Sequence, residues 1–373
     1  MISPALSIVI ASYNSAPWLP TTIGSLTTAL GNSSVDAEIV VVDDGSTDDT
    51  AAVLAGIAAS SPVPLRVISQ PNKGRFLARW EGVQAARADR ILLFDSRLLM
   101  APDAFAYLES VDALRPDARA WVGHVPTDPA APLVGRFWEV PTHVFWGGYL
   151  AHPAPTDITP ENFDRVPKGT GCLVIDRAAF ADACRAAWPE ENADLVSDDT
   201  RLLRYVADHG ALRIDPGFRA LYRPRITVGG FLRHGFVRGT LFVDSYAGTS
   251  LLRNLVLVAL VVAPIVALIL LVLAIAFGLW WLVIVVLALA VSGILALVLV
   301  SAARAAAGRA VLSFLLYVIP FGAVFWAGLA RGVWVHRAAF RRRFSARRSP
   351  AGAATSRGAR ARPRRASRPR RPR

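Results

Sequence analysis

Acidic residues are absent from the last third of this 373-residue chain, because no Asp or Glu follows Asp244. Residues 337–373 alone contain fifteen arginines, which exceeds the formal net charge of +13 for the whole chain. The basic character therefore belongs to the tail, and we expect no specific nucleic-acid partner for the folded part. The tail also lacks the aliphatic residues of a packed core, so we predict that it is disordered and contacts an anionic membrane surface.

Cysteine is scarce as well, with only Cys172 and Cys184, and this excludes a disulfide framework or a cysteine metal cluster. The six histidines are scattered without metal-ligand spacing, and we assign none of them a catalytic role. No G-x-G-x-x-G follows a strand pattern and no P-loop motif occurs, which removes the main support for a dinucleotide-binding or P-loop domain. No secretory signal is visible at the amino terminus, so we expect a cytoplasmic first domain.

Long apolar runs are abundant instead. Residues 255–303 carry no charge, and about 20 apolar residues span a bilayer core, so we predict two spans at about 255–276 and 280–302. A third apolar segment, at about 311–334, is interrupted by Pro320. A third span would place the Arg-rich tail on the opposite side from the arginines that flank the first two. A re-entrant or interfacial segment is therefore favoured, and a true span is the alternative.

The first hundred residues alternate strand and helix patterns, which is typical of an α/β fold with a mostly parallel sheet. The stretch AEIVVVDDGSTDDT places Asp43 and Asp44 directly after a buried strand, and Asp95 ends the fourth strand pattern in the same way. Ser12 and Asn14 follow the first strand pattern. Since ligands of such sheets bind beyond the carboxyl ends of the strands, these side chains predict a nucleotide site. Each Asp alone also fits a turn or a helix cap.

Six segments in this order resemble family 2 glycosyltransferases, whose nucleotide-sugar-binding domain has the glycosyltransferase A fold. The resemblance covers roughly residues 5–225. The segments are SIVIASYNSAPWLPTTIGSL, VVVDDGSTDDT, PNKGRFLARWEG, ILLFDSRLLMAPDA, GTGCLVIDRAAF and SDDTRLLRYVADHG. The resemblance implies transfer of a sugar, usually with inversion, from a nucleotide-sugar donor to an acceptor.

The resemblance also implies roles for particular residues. Asp199 would be the general base and Asp198 would support it, although two carboxylates at a helix start also suit the helix dipole. Donor binding would involve seven residues, namely Ser12, Asn14, Asp43, Asp44, Arg79, Asp95 and Arg97.

One position departs from the family pattern, because Asp95-Ser96-Arg97 stands where the family carries its metal-binding D-x-D segment. A diphosphate leaving group needs positive charge nearby. One hypothesis is that Asp95 still holds Mg²⁺ or Mn²⁺ weakly. The other is a metal-independent site in which Arg97 partly substitutes for the ion.

Residues 221–242 join this domain to the apolar segments and mix basic with aromatic side chains, which is typical of an amphipathic piece at a membrane interface. The RHGFVRG run resembles membrane glycosyltransferases of the succinoglycan-biosynthesis type, which implies a lipid-linked acceptor. Arg233 and Arg238 are candidates for binding its phosphate, and anchoring to acidic head groups is the other interpretation.

We therefore predict a multi-pass cell-membrane enzyme with a cytoplasmic catalytic domain, acting on a lipid-linked or polysaccharide acceptor in cell-surface glycan synthesis. Two alternatives stay open: a polyprenyl-phosphate monoglycosyltransferase, and a catalytically inactive membrane scaffold of the same fold. The predicted divisions are 1–222 for the cytosolic glycosyltransferase domain, 223–253 for a basic amphipathic interfacial linker, 254–336 for the membrane region and 337–373 for the disordered tail.

Overall fold

The computed structural model describes residues 3–112, 118–189, 195–197 and 199–341. They form an α/β domain followed by long apolar helices. The strands are β1 Leu6–Ser12, β2 Ala37–Asp44, β3 Leu65–Gln70, β4 Arg90–Phe94, β5 Leu98–Met100, β6 Ala118–His124, β7 Thr156–Ile158, β8 Cys172–Asp176 and β9 Ala211–Tyr222. The α-helices are α1 Leu19–Gly31, α2 Thr50–Ser60, α3 Arg75–Ala85, α4 Ala104–Asp112, α5 Glu139–Leu150, α6 Arg177–Ala186, α7 Thr200–His209, α8 Val228–Tyr246, α9 Leu251–Ala276, α10 Trp280–Ala303, α11 Gly308–Val335 and α12 Arg337–Arg341. Two short 3₁₀ turns are Leu133–Arg136 and Phe163–Arg165.

Within the described ranges, nine strands form one sheet in the order β3-β2-β1-β4-β8-β6-β9-β5, and β7 also pairs with β9. The first four strands run parallel, which confirms the arrangement predicted from the alternation of strands and helices. β8 is antiparallel to both β4 and β6, and β9 is antiparallel to β5 and β7 but parallel to β6. The sheet is therefore mixed, because the regular alternation ends after β4.

The parallel register brings the ends of β1 and β2 to the same edge of the sheet. Ser12 pairs with Asp43, and Asp44 pairs with Gln70 at the end of β3. All eight residues of β2 are buried, as expected for a central parallel strand covered by helices on both faces. Successive residues of β1 face opposite sides, so Ile8 and Ile10 join one apolar core while Val9 joins the other.

Three helices in the described part of the chain, α9, α10 and α11, are long and apolar enough to cross a membrane. α9 and α10 correspond to the two predicted spans. α9 begins at Leu251, before the predicted boundary at 254, because the Ser250 hydroxyl accepts a hydrogen bond from the Arg253 N–H and caps the helix. α12 covers the first five residues of the predicted tail, and 342–373 lie outside the described residues.

The third apolar segment is one continuous helix, α11, which passes through both Pro320 and Gly322. A re-entrant segment requires a break in the helix, so that expectation is wrong. An apolar helix of this length tolerates an internal proline, because neighbouring helices and small local adjustments satisfy the one backbone group that proline frees. An interfacial helix and a true span are the remaining alternatives.

The predicted linker, 223–253, consists mainly of α8, which packs along α11. A methyl group built on Gly239 would lie 2.3 Å from the Phe325 carbonyl oxygen, and one on Gly328 would lie 2.0 Å from the Phe236 carbonyl oxygen. The two backbones therefore touch. Each helix has two glycines four residues apart at this contact, Gly235 and Gly239 on α8 and Gly328 and Gly332 on α11, and such small residues allow helices to cross closely. α8 is thus fixed to α11 rather than being a free connection.

Candidate active site

A cavity of about 350 Å³ opens at the carboxyl ends of β1, β2 and β4. Several predicted donor-binding residues line it, namely Ser12, Asn14, Asp44, Asp95 and Arg97. It is also lined by residues from the end of β9, the segment that follows it and α8, namely Tyr222, Arg225, His234 and Arg238. The sheet edge that the sequence predicted therefore shares its cavity with a helix outside the α/β domain.

Asp44 lines this cavity and also holds the loop that enters α3. Its Oδ1 accepts hydrogen bonds from the Gln70 amide at 2.6 Å and from the Lys73 N–H at 2.9 Å. Its Oδ2 accepts one from the Gly74 N–H at 2.9 Å. Asp44 therefore has a turn role as well, because both backbone groups belong to the loop before α3 and no side chain caps that helix.

Ser12 and Asn14 differ from Asp43 in what they offer to a ligand. The Ser12 hydroxyl is buried at the cavity and has no hydrogen-bond partner among the described residues, so a ligand hydroxyl would satisfy it. Asn14 has a positive φ of 49°, and its Oδ1 accepts a hydrogen bond from the Thr47 N–H at 2.8 Å. Asp43 does not line the cavity, and its Oδ1 accepts from the Ser46 N–H at 3.1 Å.

A line of hydrogen bonds joins Asp95 to Asp199. Arg79 donates from Nη2 to Asp95 Oδ1 at 2.6 Å and from Nη1 to the Thr170 hydroxyl oxygen. The Thr170 hydroxyl donates in turn to Asp199 Oδ1 at 2.5 Å. Arg79 is only 3% exposed and lies behind the cavity, so it can act on a donor only through Asp95. The predicted base and the predicted diphosphate-side carboxylate thus belong to one network.

Asp199 occupies the N-cap position of α7, yet its side chain does not cap that helix. Its Oδ1 accepts instead from the Thr170 backbone N–H at 2.8 Å and from the same residue's hydroxyl. Burial would raise the pKa of the Asp199 carboxyl, but Arg75, Arg79 and these hydrogen bonds together hold the pKa below its usual value. The carboxylate is therefore ionised near neutral pH. Asp198 lies outside the described residues.

The segment before Asp199 is held by α8. Asp244 on this helix is 4% exposed, and its Oδ2 accepts a hydrogen bond from the Ser197 N–H at 3.0 Å. Arg201 on α7 lies 3.4 Å from Asp244 Oδ1 and compensates its buried charge. α8 therefore contributes to the cavity and also fixes the position of the predicted base.

Basic side chains dominate the lining of the cavity, namely Arg75, Arg97, Arg225, His234 and Arg238. The Arg97 guanidinium lies 4.1 Å from the centre of the Trp18 ring and donates to the Arg223 carbonyl oxygen at 3.2 Å. Burial first, and then the neighbouring Arg225, lower the pKa of Arg97 to about 10, so it remains protonated at neutral pH. Burial and the surrounding arginines hold the pKa of His234 well below its usual value, so this ring is neutral there.

The sequence did not identify Arg225 and His234 as members of the site. His234 and Arg238 lie four residues apart on one face of α8, and that spacing could have found them as a pair. No sequence pattern predicts that Arg225 lines the cavity, because its position depends on the direction of the chain after β9. Arg233 is exposed and does not line the cavity, whereas Arg238 does.

The cavity offers few ligands for a divalent cation. Among the described residues, no group of three His, Cys, Asp or Glu side chains could hold a metal ion. One oxygen of Asp95 is paired with Arg79, and the Ser96 hydroxyl is hydrogen-bonded to the Ser15 hydroxyl at 3.0 Å. A cation here would take nearly all of its ligands from a diphosphate and water, so the described side chains do not fit a protein-held metal ion.

Comparison with known proteins bears on the first part of the chain. Residues 7–112 match the model of the family described as Glycosyl transferase family 2. The succinoglycan biosynthesis protein ExoO of Rhizobium meliloti is 38% identical over 113 residues, which is 30% of each chain. An undecaprenyl-phosphate 4-deoxy-4-formamido-L-arabinose transferase of Pseudomonas fluorescens is 33% identical over 118 residues, or 31% of this chain and 35% of the relative. The match thus spans about a third of the length of these curated relatives.

Among solved structures, the mannosyltransferase PcManGT from Pyrobaculum calidifontis, in complex with GDP-Man and Mn²⁺, aligns with 90% of this chain and 88% of its own. The TM-score is 0.48 and the identity 15%, and a likeness at this level assigns no ligand to the present chain. The family match is more informative than this structural likeness, because residues 7–112 include Ser12, Asp44 and Asp95 at the ends of β1, β2 and β4. Residues 7–112 are therefore similar to family 2 glycosyltransferases.

Proposed function

We propose that the chain is a membrane-anchored, inverting glycosyltransferase that moves a sugar from a nucleotide-sugar to a lipid-linked or polysaccharide acceptor in cell-surface glycan synthesis. One observation carries this proposal. A single cavity combines the strand-end residues of the α/β domain with basic side chains of α8, a helix that packs on the apolar helix α11. An activated sugar and an acceptor held at a membrane surface could therefore meet in one place.

The donor would bind at the carboxyl edge of the sheet. The unpartnered Ser12 hydroxyl and the Asp44 carboxylate suit hydrogen bonds to the nucleoside, and Asn14 lies beside them. The diphosphate would lie towards Asp95 and Arg97, at the end of β4. Asp199 does not line the cavity itself, but the Arg79 and Thr170 hydrogen bonds join it to Asp95. The sugar would extend from the diphosphate towards that carboxylate.

Inversion requires attack on the sugar C1 from the side opposite to the diphosphate. Asp199 would take the proton of the acceptor hydroxyl as its oxygen forms the new bond to C1. The bond between C1 and the diphosphate oxygen breaks at the same time, and its electron pair leaves with the diphosphate. Guanidinium groups near that oxygen stabilise the developing charge. An Asp199 carboxyl whose pKa is held below its usual value is ready to accept a proton at neutral pH.

The acceptor would approach along α8, which leads from the cavity to the apolar helices. Arg238 lines the cavity from this helix and suits a phosphate of a lipid carrier. The names of the two relatives point to polyprenyl carriers and to polysaccharide assembly. The alternative is that polyprenyl phosphate itself is the acceptor. Formation of a glycosylated product with polyprenyl phosphate as the sole acceptor would identify that reaction.

Asp199→Asn tests the proposed chemistry. We expect a kcat for sugar transfer that is lower by about a hundredfold or more, because general-base catalysis contributes roughly that factor. The shift in Tm caused by a bound nucleoside diphosphate should remain, because the donor side is unaltered. Both are measured on detergent-solubilised protein, after a Tm screen of nucleoside diphosphates has identified the donor class.

Asp182→Asn is the matched control for this experiment. Asp182 is an exposed carboxylate on α6 that pairs with Arg185 one turn away, so its loss should leave kcat unchanged. Wild-type turnover in Asp199→Asn would contradict the assignment of the base. A wild-type protein that binds nucleotide but transfers no sugar would favour the inactive-scaffold alternative.

A further inference from the structure

Three arginines that line the cavity, Arg97, Arg225 and Arg238, form no ion pair with any carboxylate in the described part of the chain. The two carboxylates in the lining are already engaged. Asp44 accepts three hydrogen bonds from the loop that enters α3, and Asp95 is paired with the buried Arg79. The lining therefore carries an excess of positive charge.

Arg97 is held in position by groups that leave its charge unneutralised. The Trp18 ring lies against its guanidinium, and the Arg223 carbonyl oxygen accepts one of its five N–H groups. The remaining N–H donors are available to a ligand. After burial, the charge of Arg225 is the main cause that lowers the pKa of Arg97, so these two guanidinium groups repel each other. An anion with several charges would offset that repulsion.

The chain position of Arg97 points to the identity of the anion. Arg97 is the third residue of Asp95-Ser96-Arg97, on the loop that follows β4. In a D-x-D segment this position carries a second carboxylate, which brings positive charge to the diphosphate through a bound metal ion. Here the side chain itself is the cation, and the described side chains do not fit a protein-held metal ion.

We propose that Arg97 and Arg225 bind the diphosphate of the donor and replace the divalent cation as the source of positive charge, while Arg238 is left for the phosphate of the acceptor. The inference deepens the proposed function and rests on it. As the bond between C1 and the diphosphate oxygen breaks, the electron pair moves onto the diphosphate, and the guanidinium N–H groups donate to its oxygens. Arginine suits this task because its planar donors match phosphate oxygens in pairs.

Nucleotide binding in the presence and absence of metal tests the inference. The probes are uridine diphosphate and guanosine diphosphate, each titrated into the full-length solubilised protein by calorimetry in EDTA and in MnCl₂. We expect the Kd of the nucleotide that binds to agree within about threefold between the two buffers. Arg97→Ala should raise this Kd by about tenfold or more in both buffers, as loss of a charge-assisted hydrogen bond does. Arg185→Ala, an exposed arginine on α6, is the control that should leave it unchanged.

Arg97→Asp turns Asp95-Ser96-Arg97 into a D-x-D segment and provides a second, independent test of the inference. We expect its binding to be weak in EDTA and strengthened by Mn²⁺ more than that of the wild type. Wild-type binding that is lost in EDTA and returns with Mn²⁺ would overturn the arginine role and leave the proposed function intact. Arg97→Asp binding as tight as that of the wild type in EDTA would also overturn the arginine role alone. If no nucleoside diphosphate of the Tm screen binds in either buffer to folded wild-type protein, the proposed function itself is wrong.

Discussion

Single residues decide the protonation state of the proposed base. Thr170 gives the Asp199 carboxylate two hydrogen bonds, one from its backbone and one from its hydroxyl. Both favour the ionised form and, with Arg75 and Arg79, they outweigh burial, so the pKa of Asp199 is lowered. A lowered pKa means that Asp199 becomes protonated, and loses its function as a base, only as the pH falls below the ordinary aspartate value of about 4.

Thr170→Val should move the acid limb of the pH profile of kcat/KM to higher pH. The valine removes a hydrogen bond to the charged carboxylate, so the pKa of Asp199 rises and the base is protonated at a higher pH than in the wild type. The profile is measured from about pH 2 to about pH 8, so that a wild-type midpoint below the ordinary aspartate value lies inside the range. Thr170→Ser keeps the hydroxyl and should keep the wild-type midpoint. A midpoint that stays constant in Thr170→Val would assign the acid limb to another group.

At the scale of secondary-structure elements, the contact between α8 and α11 connects packing to the site. α8 carries His234 and Arg238 into the cavity, and it also carries Asp244, which holds the Ser197 N–H. Its position relative to the domain therefore affects both Arg238 and the segment that precedes the proposed base. The close approach of its backbone to α11 fixes that position.

Gly328→Ala should lower both Tm and kcat. The new methyl group would lie 2.0 Å from the Phe236 carbonyl oxygen, so α8 and α11 must separate, and such overpacking costs about 1–3 kcal/mol. Gly322→Ala on the same helix is the control, because its methyl group would meet no atom within 4 Å. Thermal melts and transfer assays of both variants check the expectation. Equal behaviour of the two variants would show that the contact does not position α8.

Elements also differ in how well the sequence predicted them. The alternation of buried strands and helices was sufficient to place Ser12, Asp44 and Asp95 at one edge of the sheet, because parallel strands end on the same side. The same reasoning could not place Arg225 or His234, because the path of the chain after β9 is set by packing against α11. Residue spacing alone carries no information about such a long-range contact.

At the scale of the whole molecule, α11 lies beside the α/β domain rather than apart from it. Its buried residues extend from Ala310 to Gly332 and pack mainly on α8, and Phe137 of the α/β domain packs against both Phe314 and Phe321. A helix that leaves the domain to cross a bilayer would lose such contacts along most of its length. We therefore propose that α9 and α10 cross the membrane while α11 lies in the interface, with the Arg-rich tail at the cytoplasmic surface.

A cysteine introduced into the tail tests this arrangement. Ser356→Cys should react with a membrane-impermeant maleimide in inverted membrane vesicles and remain unlabelled in intact cells, because the tail stays on the side of the catalytic domain. Cys172 and Cys184 are both buried and should contribute little background. The parent protein without the new cysteine is the control. Labelling in intact cells would instead indicate three crossings.

The shared cavity has a practical consequence for work on this protein. A fragment that stops at Tyr222 would retain Asp199 and the strand-end side of the cavity, where we propose that the nucleoside binds, but it would lack Arg225, Arg238 and Asp244. Such a fragment contains only part of the residues that line the cavity. Its weak affinity or inactivity would reflect the missing helix and would say nothing about the chemistry of the intact chain.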